Sequence, residues 1–130
     1  MDERELVPSS KGDLPAAKRA VAAGWPAVEP VLPELLEWIQ DVNWPVAPVL
    51  MPFLASLGDP LVPHLRPILQ GEEIMWKYWI VSDLLLSTPL TVVDALRSEL
   101  ERLVASPTQE EAEIDLPDEA RTVLDRLASS

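Results

Sequence analysis

The sequence contains no cysteine and only one histidine, His64. The lack of cysteine excludes disulfide bonds and thiol nucleophiles, and it removes the ligands of most structural zinc sites. A lone histidine cannot build a multi-histidine metal site, and as a general base it needs a partner such as Asp59, Arg66 or Asp83. Because histidine side chains are commonly of intermediate burial, a structural or surface role is favoured for His64. We therefore expect no metal, no cofactor and no catalytic residue.

Glycine is also scarce, with four residues in 130. None of them forms a phosphate-binding loop or a Gly-X-Ser-X-Gly nucleophile elbow. Three glycines lie where helices are expected to end, and most of the 14 prolines lie where helices are expected to start. No useful stretch alternates between apolar and polar residues, whereas apolar spacings of three and four, as from Val92 to Val104, are frequent. The sequence therefore predicts an all-α fold of about six or seven helices.

Positive charge is in short supply, with 10 basic residues against 22 acidic ones and a net charge of −12. Such a surface repels phosphate backbones and anionic lipid head groups, and it attracts basic proteins or peptides. The longest apolar run is well short of the ~20 residues that cross a bilayer. The N-terminal residues are charged and do not resemble a secretory signal. We expect a cytoplasmic protein that binds neither nucleic acid nor membranes.

Apolar residues make up 48% of the chain and are concentrated in one stretch, residues 74–86. Only three polar residues interrupt it, among them Lys77 and Asp83. A helix that is apolar on every side is buried on most of its faces, so other elements must pack around this one. A second helix of the same kind is predicted at 45–57. The amphipathic helix predicted at 118–128 is our first choice to cover both.

The length and composition are those of a single domain, residues 1–130, with a core of its own. Residues 1–12 are predicted to form a flexible polar leader. Residues 107–116 are acidic and are predicted to form an exposed loop, where Thr108 and Glu111 could make a capping box. The acidic run lacks the glycine that a calcium-binding loop needs at its bend.

Two helix pairs of the predicted fold are spaced regularly along the chain. Pro63 follows Pro33, and Trp76 follows Trp44, at nearly the same interval. This interval of about 30 residues is within the range of helical repeats. Helix pairs that recur at such a period are typical of stacked α-solenoids, in which each pair buries its apolar face against its neighbours.

Two tryptophan-rich segments carry a resemblance to a known family. Asn43-Trp-Pro-Val-Ala47 and Met75-Trp-Lys-Tyr-Trp-Ile80 resemble the bacterial domain of unknown function 5071 family, over about residues 7–128. The resemblance implies a compact, right-handed superhelix of short HEAT-like repeats. The family has no agreed activity, so the resemblance implies no catalytic residue.

Six residues are candidates for partner binding or for a polar network: Trp44, His64, Trp76, Lys77, Tyr78 and Asp83. Tryptophan and tyrosine are favoured anchors of binding surfaces, although at helical spacing they are more often core. Lys77 and Asp83 are six residues apart and do not face each other along a helix, so each is expected to meet another element. Trp44 could donate its indole N–H to Asp83. Either these residues form a satisfied core network, or Lys77, Asp83 and His64 line a ligand groove.

The function that these observations favour is a non-enzymatic protein-binding module with an acidic, tryptophan-lined groove for a basic protein or peptide. One concrete form is an immunity-type inhibitor that neutralises a basic toxin. One alternative is a small-ligand-binding or hydrolytic protein that uses His64 with a nearby carboxylate. Another is a scaffold subunit of a larger assembly. The oligomeric state and the identity of the partner are not set by the sequence.

Overall fold

A computed structural model describes residues 3–129 and contains helices and turns but no strand in that range. The all-α prediction is therefore confirmed. The chain falls into two compact units, residues 1–54 and 55–130, and their boundary lies within one helix. The single-domain organisation stays a prediction.

The first unit contains four helical regions. They are a 3-10 turn at Glu3–Leu6, α1 (Leu14–Ala23), a 3-10 turn at Glu29–Val31 that leads directly into α2 (Leu32–Glu37), and α3 (Ala47–Ser56). Helix α1 starts at Asp13, whose side chain accepts the N–H of Ala16 at 3.3 Å, and it ends at Gly24, whose φ of 68° suits glycine.

The predicted leader, residues 1–12, is more ordered than expected, although its first two residues lie outside the described part. Glu3–Leu6 form a 3-10 turn whose Leu6 is buried. Arg4 contacts Glu34 at 2.9 Å. The burial of Leu6 and the Arg4–Glu34 ion pair hold this segment against the rest of the first unit. Neither could be predicted from a local sequence pattern.

The helix predicted at 45–57 begins later than expected, at Ala47. Residues 42–46 form turns instead. The N–H of Val46 donates to the carbonyl oxygen of Lys11 at 3.1 Å. This bond gives a partner to a backbone group that has none within the first turn of a helix.

The second unit contains more helical segments than the predicted number allows, because predicted helices are interrupted. They are a 3-10 turn at Asp59–Leu61, α4 (Val62–Gln70), α5 (Ile74–Trp79), a π-helical segment (Ile80–Leu84), α6 (Leu85–Ser87), α7 (Leu90–Ala95), α8 (Arg97–Ala105), α9 (Gln109–Glu113) and α10 (Leu116–Ala128).

The two units share a local structure. The 3-10 turn Glu29–Val31 runs into α2, and the 3-10 turn Asp59–Leu61 runs into α4. Each turn has the order acidic residue, proline, apolar residue, and each following helix has proline as its second residue. Proline suits these positions because its missing N–H has no partner in the first turn of a helix.

The central stretch is formed by α5, the π-helical segment and α6 in direct succession. Eleven of its thirteen residues, 74–86, are buried or half-buried, in agreement with the prediction that it is buried on most of its faces. The most buried residues are Lys77, Ile80, Val81, Leu84 and Leu85. Met75 and Leu86, however, are 45% and 42% exposed. The stretch is therefore in contact with solvent near both of its ends.

Helix α10 covers this stretch, as predicted. It packs on α8 and on the π-helical segment, and its buried residues include Leu116, Ala120 and Val123. Arg126 donates to the carbonyl oxygens of Leu85 and Thr88, where the central stretch ends. Cover of the helix at 45–57 by the same element stays a prediction.

Candidate binding groove

Lys77 is the buried cation around which the candidate site is built. It lies on α5, and only 4% of its side chain is exposed. A buried charge is costly unless it is paired. Its Nζ contacts Oε2 of Glu111 at 2.5 Å, and Glu111, on α9, is fully buried. The prediction that Lys77 meets another element is confirmed.

Arg102 is the second cation on the same carboxylate. Its two terminal nitrogens donate to the two Glu111 oxygens, Nη1 to Oε1 at 3.1 Å and Nη2 to Oε2 at 2.9 Å. The planar guanidinium matches a carboxylate in this two-point arrangement. Nη1 also donates to the carbonyl oxygen of Ser106, just after α8. Arg102 therefore joins the end of α8 to α9.

A capping box completes the environment of Glu111, as predicted. The Glu111 N–H donates to Oγ1 of Thr108 at 3.2 Å, and Oε1 of Glu111 accepts the Thr108 N–H at 2.8 Å. The segment 107–116 differs from the predicted loop, because these bonds hold it as α9. A helix of five residues is not stable alone, so α9 depends on its tertiary contacts.

The contacts of Glu111 determine its ionisation. Burial raises the pKa of its carboxyl, but hydrogen bonds from Arg102, Lys77 and the Thr108 backbone outweigh burial and lower the pKa to about 2. Glu111 is therefore ionised at neutral pH and forms an ion pair with each of its two cationic partners. We call Lys77, Arg102 and Glu111 the ionic cluster.

Two grooves lie beside the ionic cluster and meet at Gly71 and Glu72, which line both. The lysine groove, about 390 Å³, is lined by Gly71, Glu72, Ile74, Lys77, Thr108 and Glu110. The tryptophan groove, about 270 Å³, is lined by Pro67, Ile68, Gly71, Glu72, Glu73 and Trp76. The side chains of Glu72, Glu73 and Glu110 are exposed. The tryptophan groove thus offers two solvated carboxylates beside an indole ring, and the lysine groove adds a third, that of Glu110.

Gly71 sets the shape of the junction between α4 and α5. A Cβ atom at this position would lie 3.2 Å from the carbonyl oxygen of Pro67 and 3.4 Å from that of Ile68. Backbone atoms of a packed helix cannot easily withdraw, so a larger residue would push the end of α4 away from the loop. The shape of the two grooves where they meet therefore depends on the close packing of Gly71 against the end of α4.

The second unit as a whole is negatively charged, like the exposed side chains of its grooves. Residues 55–130 carry 14 acidic and 6 basic side chains, a net charge of −8. Arg66 and Glu99 pair at 2.8 Å, and Arg97 and Asp94 pair at 2.9 Å. Part of the basic charge is thus already matched within the unit.

The predicted candidate residues do not form one site. Trp76 and Lys77 line the two adjoining grooves. Tyr78 packs edge-to-face on Trp79, with ring centroids 4.9 Å apart, and lines neither groove. His64 on α4 and Asp83 in the π-helical segment are half-buried, and neither lines a groove described above.

Trp44 lies in the first unit, where it packs edge-to-face on Trp38. Its predicted hydrogen bond to Asp83 stays a prediction. Sequence reasoning missed two residues, Glu111 as the partner of Lys77 and Arg102 as the second cation on Glu111. The capping-box pattern identified Glu111 as a local cap, but the sequence carried no sign that this side chain is buried.

Metal-binding clusters and membrane-spanning helices are both absent from the described residues. No group of three or more histidine, cysteine or carboxylate side chains within residues 3–129 is placed to hold a metal ion. No helix in the described part of the chain has both the length and the hydropathy needed to cross a membrane.

Comparison with known proteins gives a family without an activity. No curated protein matches the chain. A family model described as Domain of unknown function (DUF5071) matches residues 6–124, which include most of both units. The chain therefore belongs to the DUF5071 family.

Proposed function

We propose that this protein is a non-enzymatic protein-binding module whose lysine and tryptophan grooves bind basic side chains of a partner protein or peptide. The observation that carries the proposal is that the exposed Glu72 and Glu73 line the tryptophan groove together with Trp76, while the exposed Glu110 lines the adjoining lysine groove.

Lysine and arginine side chains match such a surface in two ways. Their methylene stems pack on apolar groups such as Ile68 and Trp76, while their charged ends remain beside carboxylates. A cation over an indole face gains a further attraction from the ring quadrupole. Opposite charges on the two partners would also raise the association rate.

The ionic cluster prepares this surface for binding. Glu111 fixes Thr108 through the capping box and fixes α5 through Lys77. Glu110 is the neighbour of Glu111 on α9, so its backbone position is set in the absence of a partner. A binding wall that is already ordered avoids part of the entropy cost of association.

The proposal includes the finer features expected from the sequence. The protein would be a bacterial, cytoplasmic member of its family, and its helices would stack as a HEAT-like superhelix. The matching 3-10 turns that lead into α2 and α4 support the repeat. An immunity-type inhibitor of a basic toxin is the concrete form that we favour, because acidity, small size and a preformed groove suit that role.

The proposal is tested by capturing the partner with the full chain at ~150 mM salt and then measuring the affinity of the purified partner. At this salt concentration the Debye length is about 8 Å, so long-range attraction is largely screened. We expect a basic partner at fixed stoichiometry. A triple variant, Glu72→Gln, Glu73→Gln and Glu110→Gln, should weaken binding by at least about tenfold, or about 1.4 kcal/mol.

The matched control removes the same amount of charge elsewhere in the second unit, by Glu101→Gln, Glu113→Gln and Glu119→Gln. This variant should weaken binding by less than about threefold. An equal loss of affinity in both variants would show that the interaction is general electrostatic attraction. It would contradict binding at the grooves. Failure to capture any basic protein would contradict the proposal as a whole.

The alternatives from the sequence stay predictions. No observation in residues 3–129 favours a hydrolytic or small-ligand role of His64, because this side chain lines neither the lysine groove nor the tryptophan groove. A scaffold subunit of a larger assembly would be revealed by light scattering as an obligate oligomer.

A further inference from the structure

We propose that Trp38, Trp44 and Glu37 form a binding site for a quaternary ammonium group, independent of the grooves in the second unit. The site is an open corner of about 210 Å³ lined by Glu37, Trp38, Gln40 and Trp44. We call it the indole corner.

The two rings of the indole corner lie edge-to-face. The centroids of Trp38 and Trp44 are 5.6 Å apart, and the ring planes are inclined at 66°. Both tryptophans are half-buried, so their outer surfaces remain accessible. An indole face carries the negative part of a quadrupole, so a cation seated against the face of either ring is attracted to it.

Hydrogen bonds hold the backbone around both tryptophans, and the two rings also contact each other. Trp38 is the C-terminal cap of α2, and its N–H donates to the carbonyl oxygens of Leu35 and Leu36. The N–H of Trp44 donates to the carbonyl oxygen of Asp41 at 3.1 Å. The same aspartate accepts the N–H of Asn43 through Oδ1 at 2.8 Å. The corner is thus preformed.

The charge of the corner selects a cation. Glu37 is exposed and contributes a carboxylate, Gln40 contributes an amide, and no basic side chain lines the space. The lining is otherwise apolar ring surface. An anion or a neutral polar ligand would find no complementary charged group among these side chains.

The apolar rings select an alkylated ammonium over a bare one. A lysine ammonium is compact and strongly hydrated, so moving it against two indole rings forfeits much of its hydration. A trimethylammonium group holds the same charge beneath methyl groups, which pack on ring faces without losing hydrogen bonds. Choline and the side chain of trimethyl-lysine share this group and are the two sources that the corner could bind.

The test is a titration of the full-length protein followed by the indole N–H signals in ¹H–¹⁵N NMR spectra. The ligands are choline, N-acetyl-trimethyl-lysine amide and 3,3-dimethylbutanol, which has the shape of choline without its charge. We expect saturable shifts of the Trp38 and Trp44 signals with the two cations. Binding of the neutral alcohol should be about tenfold weaker, since the cation–π attraction is lost.

Two variants separate the site from the fold. Glu37→Gln should weaken choline binding several-fold, whereas Glu29→Gln, an equal charge change at an exposed position of the same unit, should leave it unchanged. Trp44→Leu should abolish binding, and a far-UV spectrum like that of the parent protein would show that the variant folds.

Each outcome has a definite meaning. Tighter binding of the trimethyl-lysine amide would assign the corner to a modified protein side chain, and tighter binding of choline would assign it to a free or lipid-linked head group. Equal shifts with 3,3-dimethylbutanol, no saturable shift at ~20 mM ligand, or an undiminished affinity in Glu37→Gln would overturn the proposal. These results do not involve Trp76 or its carboxylates, so they are distinct from failure of the proposed function.

Discussion

At the scale of single residues, Glu111 is the side chain on which the second unit depends most. It pairs with Lys77 and Arg102 and closes the capping box with Thr108. Both cations would lose their common partner if this carboxylate were removed. Lys77, which is almost fully buried, would then keep an uncompensated charge.

Glu111→Ala should lower the free energy of unfolding by about 3–5 kcal/mol, the usual cost of breaking a buried ion pair from one side. Lys77→Met should cost less than about 1.5 kcal/mol, because Glu111 keeps its bonds to Arg102 and Thr108 and methionine replaces the apolar stem. Urea unfolding followed by far-UV circular dichroism measures both. The exposed neighbour provides a control, since Glu110→Ala should stay within about 0.5 kcal/mol. A larger loss for Lys77→Met than for Glu111→Ala would contradict this order.

The same residue predicts a pH dependence. Because the pKa of Glu111 is lowered from 4.5 to about 2 on folding, the unfolded chain binds more protons between these values. The stabilisation is therefore fully present above about pH 5 and is lost as the pH falls towards 2. It amounts to an order of 3 kcal/mol. In Glu111→Gln, the free energy of unfolding measured with urea should change little between about pH 5 and about pH 2. In Glu110→Gln, it should fall over this range as in the parent protein. Parallel profiles of Glu111→Gln and the parent protein would disprove the assignment.

At the scale of elements, backbone carbonyl groups at helix ends accept hydrogen bonds from arginine side chains of other elements. Arg126 on α10 donates to the carbonyl oxygens of Leu85 and Thr88, the latter at 2.7 Å. Arg66 on α4 donates to the carbonyl oxygen of Ala95, the last residue of α7, also at 2.7 Å. The final carbonyl groups of a helix have no partner within it, so these long-range bonds substitute for local caps.

Arg126→Met should lower the free energy of unfolding by about 1.5–3 kcal/mol, since two bonds from a charged donor are lost. The carbonyl oxygen of Leu85 then keeps only the hydroxyl of Thr88, at 3.4 Å. Arg121→Met on the same helix is the matched control. Arg121 is exposed and pairs with Asp118, three residues away, so its loss should cost less than about 0.5 kcal/mol. Thermal unfolding of both variants measures the contrast. Equal destabilisation would show that charge on α10, not the bond to Leu85, is what matters.

The arginine contacts also explain which elements could be predicted from the sequence. Helix starts could be predicted, because proline and the Thr108–Glu111 capping box act within one turn. The break between α7 and α8 could not. Leu96 continues the apolar spacing, and neither glycine nor proline marks it. The break is stabilised by Arg66, which binds both Ala95 and Glu99 from another helix.

The π-helical segment Ile80–Leu84 could likewise not be predicted from the sequence. Its residues have the apolar character of an ordinary buried helix, and the sequence shows no feature that requires a wider turn. The hydroxyl of Ser82 in this segment is buried without a hydrogen-bond partner among the described residues. Such groups are costly and uncommon, and π-helical turns often occur at functional sites.

At the scale of the whole molecule, charge was the most informative property of the sequence. The net charge of −12 is enough by itself to predict a negative surface. The structure adds where negative charge lies beside apolar groups, at the lysine and tryptophan grooves. Composition could not locate the grooves, because their carboxylates come from the loop before α5 and from α9, which are far apart in the sequence.

Division into two units could not be predicted from composition either. The apolar helix α3 crosses the boundary between residues 54 and 55, and no linker rich in glycine or serine marks it. What the sequence did show was the regular spacing of its prolines, which the 3-10 turns before α2 and α4 reproduce in local structure. Local geometry repeats because it depends on nearby prolines, whereas unit boundaries depend on distant contacts.

The ionic cluster restricts the order in which related chains can diverge. An apolar residue can replace Lys77 first, since Glu111 still has Arg102 as its counterion. Loss of Glu111 first leaves a nearly buried ammonium without a partner, and selection would remove such an intermediate. Among homologues, chains with an apolar residue at position 77 and glutamate at 111 should therefore be common, and chains with lysine at 77 and an apolar residue at 111 should be rare.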